Sequence, residues 1–273
     1  MSEKNDKQCI KKIFGRKCYY FVAFKHNSLT KTFVMEKNDL STNRRAFIGT
    51  LATGAAAMSF AGLAAPLQSM AKQQHHFTDD DPDAWFKKLD GKKHKIVFDA
   101  TEPHQAMPFI WPAVFMMTNQ ATGTGPKDLG IVVILRHEAI PFAFEDRLWG
   151  KYNFGEVFKA NELGAAFKAA DFKTAGSTRN PLWHPKDGDF QVPGFGNVPI
   201  GINQLQDAGV MFAVCNAAMT VYSAALAQGM NQKPEDVYNE WKKGLLPGVQ
   251  IVPSGVWAVG RAQEHGCAYC FAG

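Results

Sequence analysis

Short, mainly apolar runs recur along the second half of the chain, and segments of helical period separate them. His94-Lys-Ile-Val-Phe-Asp99, Asp128-Leu-Gly-Ile-Val-Val-Ile-Leu135, Val210 to Val214 and Gly248-Val-Gln-Ile-Val-Pro253 are such runs, and Cys267-Ala-Tyr-Cys-Phe271 is a shorter last one. Runs of this length without polar alternation predict strands buried on both faces, as in a parallel sheet under helices. Between them, Asn216 to Gln228 reads as a helix, and Ile202 to Gly209 as a short one with a glycine stop. Pro234-Glu-Asp at a first turn starts another helix. Ser254 caps a helix from Gly255 to His265, closed by Gly266. The segment His104 to Gln120 is apolar nearly throughout and predicts a buried helix, bent or started late by Pro108 and Pro112. Phe142 to Ala170 predicts an amphipathic helix. Strands alternating with helices imply a three-layer α/β domain with a mainly parallel sheet of about five strands and right-handed crossovers.

Two stretches depart from that pattern. Residues 173–199 are rich in glycine and proline and read as an insertion in the domain 94–273, in which Trp183 and His184 are candidates for ligand contact. Residues 72–93 read as a linker, with a short helix near 83–89, and the adjacent His75 and His76 there fit a solvated tail better than a metal site.

Charge separates the chain in two. The formal charge of the 273 residues is +5, but residues 1–71 carry +7 and the remainder −2. The basic excess therefore belongs to the leader and gives no reason to expect a nucleic-acid partner. Within the leader, Ser41-Thr-Asn-Arg-Arg-Ala-Phe-Ile48 is followed by a weakly hydrophobic Ala/Gly-rich segment to Ala65 and by Ser69-Met-Ala71, a small-x-small cleavage site. This resembles a bacterial twin-arginine export signal, which begins naturally at Met35. It leads to three expectations: 35–71 is a cleaved signal after an extension 1–34, the mature protein is periplasmic, and no membrane attachment remains after cleavage. Residues 1–34 show no clear periodicity.

Of the five cysteines, Cys215, Cys267 and Cys270 fall in the mature part. Cys215 ends a strand and Asn216 opens a helix directly behind it, where free helix N–H groups favour a thiolate. The plain alternative is a buried, inert thiol. Asp99, His137 and Ser254 also follow predicted parallel strands, so they share an edge with Cys215. There His137 can pair with a thiolate, Asp99 can be a turn residue, and Ser254 can be only a cap. Cys267 and Cys270 have CxxC spacing, but in a strand residues three apart face opposite sides, and His265 alone adds too few ligands for a metal site. No GxGxxG after a strand and no CxxCH occurs, so no cofactor and no metal is expected.

With these elements in place, Gly209 to Met219, Leu246-Pro-Gly-Val-Gln-Ile-Val-Pro-Ser-Gly-Val256, Gln263-Glu-His-Gly-Cys-Ala-Tyr269 and Ile131-Val-Val-Ile-Leu-Arg-His-Glu-Ala-Ile-Pro-Phe142 resemble the DsrE/DsrF-like family over roughly residues 94–271. The resemblance implies a flavodoxin-like domain that assembles into homo-oligomers, trimers or hexamers. In the family's sulfur-relay members a cysteine after a central strand carries a persulfide, and Cys215 matches that position. The expected function is sulfane-sulfur handling through Cys215, as a carrier with a donor or acceptor protein. The alternative is a non-catalytic oligomeric module that binds a small ligand.

Overall fold

The protein is described by a computed structural model over residues 9–14, 17–22, 81–161, 163, 164, 178–192, 194 and 196–273. The expected export signal with its cleavage site, His75 and His76, and residues 165–177 lie outside the described residues. The chain divides into two units, residues 1–46 and 47–273. In the first, β1 (Cys9–Phe14) and β2 (Lys17–Val22) form an antiparallel hairpin running from Cys9↔Val22 to Phe14↔Lys17. Two residues join the strands, a link short enough for direct pairing, so this stretch has a local order its sequence does not announce.

In the second unit the strands are β3 (His94–Ala100), β4 (Leu129–Leu135), the two-residue β5 (Gln191–Val192) and β6 (Gly196–Asn197), β7 (Val210–Cys215), β8 (Val249–Val252) and β9 (Ala268–Phe271). Five of them form one all-parallel sheet in the order β8-β7-β4-β3-β9. The helices are α1 (Pro82–Trp85), α2 (Met107–Ala121), α3 (Asp146–Tyr152), α4 (Phe154–Val157), α5 (Ile202–Asp207), α6 (Asn216–Gly229), α7 (Pro234–Lys243) and α8 (Gly255–Glu264).

Both faces of the central strands β4 and β7 are covered, which is why they need no polar alternation, whereas the edge strand β9 is largely exposed. Val97, Val132, Ile134 and Ala213 pack with Trp85, Phe86 and Leu89 and with Ala258 and Ala262 of α8. Their neighbours Phe98, Val133, Leu135 and Phe212 pack on the other side with Phe109, Met219 and Trp241. The chain steps from β3 through β4 and β7 to β8 in one direction with its helices on this second side. It then returns across the sheet to β9 through α8 on the first side. Reversing both the direction and the side keeps every crossover right-handed. The result is a three-layer α/β domain of flavodoxin-like type.

Four local expectations change. The predicted helix from Phe142 is instead a 3-10 segment (His137–Ala143) and the short helices α3 and α4, separated at Asn153, whose φ is 52°. Packing explains the break: Phe144, Trp149, Phe154 and Trp241 stack together in the core, and one straight helix could not turn all of them inward. Helix α2 forms with Pro108 in its first turn, but Trp111, Val114 and Met117 are 40–46% exposed rather than buried. The expected linker is partly core, since Phe86 and Leu89 are fully buried. The described part of the insertion is also anchored. Asn180 is buried, its Nδ2 donates to the Phe142 and Phe144 carbonyls, and its Oδ1 accepts from the Leu182 amide.

Candidate functional site at the end of the central strands

The parallel strands deliver their last residues to one edge, and pairing sets which side chains meet there. Cys215 lies opposite Val252, Val214 opposite Leu135, and Ala100 opposite Leu135 on the next strand. Three loops therefore converge: the turn into α6, the residues after Leu135, and the turn from β8 into α8.

Cys215 is the N-cap of α6, and its Sγ accepts the Ala218 amide at 3.3 Å. The Ala217 amide donates to the Pro253 carbonyl at 3.2 Å, tying the first turn of α6 to the end of β8. The start of α8 is brought alongside, and its Gly255 amide helps to lower the thiol's pKa. Two helix N-termini thus meet at one thiol, and their unsatisfied N–H groups favour negative charge there. Cys215 is nevertheless only 6% exposed. Burial pushes the thiol's pKa above its ordinary value, against the pull of the Ala218, Gly255 and Ala217 amides and of the Arg136 charge. The acidic thiolate expected from the strand-helix junction is not the resting state, because desolvation exceeds the helix-end effect.

Beside the sulfur stands a network of which the sequence singled out only Asp99. Arg136 forms a two-pronged ion pair with Asp99, Nε to Oδ1 at 2.6 Å and Nη2 to Oδ2 at 2.9 Å. The Tyr269 hydroxyl donates to the same Oδ2 at 3.0 Å. Asp99 is buried, and this pairing with Arg136 and Tyr269 satisfies a carboxylate that would otherwise be costly to enclose. The same carboxylate keeps Arg136 charged, raising its pKa further. The arginine stem crosses Gly255, where a Cβ would stand 2.5 Å from the Arg136 Cβ. Only glycine leaves room for that crossing. One signal for Arg136 was present: it continues the alternation of Val132 and Ile134, so it faces the α8 side two residues beyond the last of them.

The structure places the other candidates as follows. His137, at φ 52°, is exposed, with its ring edge-on to Tyr222 at 5.8 Å, and no hydrogen bond joins it to Cys215. Asn216 is buried, and its Oδ1 accepts the Tyr238 hydroxyl at 2.5 Å, so it ties α6 to α7. Ser254 caps α8 by accepting the Trp257 amide. Trp183 and His184 are in ring contact with each other, and the His184 amide donates to Asn203 Oδ1.

A comparison with protein-family models finds no match to this chain, and one with curated proteins finds none either.

The remaining thiols lie elsewhere. Cys267 precedes β9, packs on the α8 side of the sheet and has its pKa pushed up to about 11 by burial. Cys270 packs toward the other side, and both are free thiols, as is Cys215. Strands β7 and β9 are three strand spacings apart, roughly 14 Å. That exceeds the reach of a disulfide, so Cys270 cannot bridge to Cys215 in this fold. Among the described residues no cluster of three or more His, Cys, Asp or Glu side chains could hold a metal ion. A polar cleft of about 380 Å³, lined by Lys151, Lys233, Asp236 and Glu240 among others, lies beyond the C-terminal end of α6, away from the cysteine.

Proposed function

We propose that this domain carries sulfane sulfur as a persulfide on Cys215, in the manner of the sulfur-relay members of the DsrE/DsrF-like family that its sequence resembles. The observation that carries the reading is the thiol itself, capped by the Ala218 amide of α6 with the start of α8 and a fixed arginine beside it. In the transfer, the Cys215 thiolate attacks the terminal sulfur of a donor persulfide. The donor S–S bond breaks, the donor thiolate leaves with the electron pair, and a Cys215 S–S bond forms. No net oxidant is needed. An added sulfur would extend the Cys215 side chain by about 2 Å. Cys267 and Cys270, just before and in β9 three strand spacings away, are out of reach of Cys215, which lets the persulfide persist until an acceptor thiol arrives.

Export by the twin-arginine route to the periplasm is part of the same proposal, supported by Arg44 and Arg45 and the segment after them. So is assembly into homo-oligomers, supported by the exposed apolar row Trp111, Val114 and Met117 on α2. Among the described residues no helix is long and apolar enough to cross a membrane.

The test is to incubate the full chain with a small-molecule persulfide donor and map the adduct by peptide mass spectrometry. One added sulfur on the Cys215 peptide, absent in Cys215→Ser and removed by a reductant, is the expected result. An unmodified Cys215 with modification confined to Cys267 or Cys270 would refute the reading.

A further inference from the structure

We propose that the donor is a small thiosulfonate-type anion, whose sulfane sulfur is bonded to an oxidised, negatively charged sulfur group, and that Arg136 orients it against Cys215. This rests on Cys215 being the sulfur acceptor. Asp99, Tyr269 and Gly255 are positioning residues that set where the guanidinium stands.

The placement of charge carries the inference. In the ion pair the Asp99 side chain is 4% exposed and the Arg136 side chain 28% exposed. The carboxylate is therefore at the back and the guanidinium in front, so the charge an approaching solute meets is positive. Nε and Nη2 are committed to Asp99, which holds the guanidinium plane fixed. Tyr269 donates to the same carboxylate, at the oxygen that also accepts Nη2. Gly255 lets the arginine stem lie directly on the start of α8, so the cation stands beside the positive end of that helix. A neutral disulfide or an alkyl trisulfide would gain nothing from this arrangement. An oxyanion would be held by the Nη1 edge of the arginine, which Asp99 does not engage, with its sulfane sulfur presented to Sγ.

The step balances without a further reactant. The Cys215 thiol gives its proton to solvent, and the thiolate attacks the sulfane sulfur. The bond to the oxidised sulfur breaks, and sulfite, or a sulfinate from an organic donor, leaves with the electron pair. A Cys215 persulfide remains. Arg136, beside the positive end of α8, is placed to stabilise the charge that gathers on the departing oxyanion.

Two measurements on the full chain test this. The first compares alkylation of Cys215 by anionic iodoacetate and neutral iodoacetamide, resolved by peptide mass spectrometry. Wild type should favour iodoacetate over iodoacetamide more than the paired variant Asp99→Asn/Arg136→Met does, by roughly twofold, less than the roughly fivefold effect of one lone cation at solvent-like screening because the partly opposing Asp99 charge is removed with it. Arg136→Lys, which keeps the charge, should recover most of the ratio, and added salt should lower it in wild type. The salt series needs no variant and decides the matter if the paired variant does not fold. The second measures loading of Cys215 by thiosulfate, expected to be at least tenfold slower in the paired variant. If Cys215 alkylates readily but its charge ratio is the same in wild type and variants and indifferent to salt, Arg136 is no anion guide and only this inference falls. Loading by a neutral persulfide donor with none by thiosulfate would likewise overturn the substrate class alone. A Cys215 inert to both alkylating reagents and to every donor would remove the carrier reading as well.

Discussion

The pH at which Cys215 becomes reactive follows from opposed effects of known sign. Proximity to a helix N-terminus stabilises an anion by about 0.3–1 kcal/mol, and here two termini and the Arg136 charge act together. Burial acts the other way and reaches several pKa units in fully enclosed groups. With 6% of the residue exposed, burial prevails and the thiol titrates above its ordinary range. A free cysteine titrates near about 8.5, so at pH 7 the thiolate of Cys215 should be under about 3% of the total. Its alkylation by iodoacetamide should climb about tenfold for each pH unit from 6 toward 8, because only the thiolate reacts. Cys267, with its pKa pushed up to about 11, provides the internal reference and should lag throughout. Stability should follow the same ionisation. A folded pKa raised above the unfolded one means the buried thiol's contribution is complete below about pH 8.5 and is lost as pH rises through the folded value. Peptide-resolved alkylation of the full chain between pH 6 and 10 measures the rate, and urea unfolding over that range measures the stability. A rate that levels off below pH 8 would mean that the amides and Arg136 outweigh burial, and the reasoning would be refuted.

Two further outcomes concern the scaffold and its assembly. Asn180→Ala removes the partner of three buried main-chain groups, the Phe142 and Phe144 carbonyls and the Leu182 amide, and should destabilise the domain by about 2–4 kcal/mol in urea unfolding. A change under about 0.5 kcal/mol would show that the insertion is not anchored there. Val114→Glu with Met117→Glu changes side chains already exposed, so it should leave the fold intact and shift an oligomer toward monomer in light scattering. A wild-type chain that is monomeric at high concentration would dispose of the assembly proposal.

The sheet was legible in the chain because a strand buried on both faces has no alternative to being apolar throughout. All five expected strands occur, and the ends of β3, β4, β7 and β8 lie within a residue or two of the runs that predict them. Helix caps were equally legible, because Ser254 and Pro234 act through the backbone within a few residues. Cys215 at a strand-helix junction follows from the same local grammar. The break between α3 and α4 does not, since it depends on which aromatic rings meet across the core. Exposure along α2 was hidden too, because an apolar helix reads the same whether its outer face is covered or open.

What the sequence determined alone was periodicity: which residues alternate, where a helix starts, and which thiol ends a strand. What only the tertiary structure decided was adjacency. Asp99 and Tyr269 are separated by 170 positions, yet they share an oxygen because β3 and β9 pair directly. The order of strands in the sheet, fixed by the sum of packing on both faces, brought Arg136 to the cysteine and turned His137 away. The same burial raised a thiol that its local surroundings alone would have made acidic.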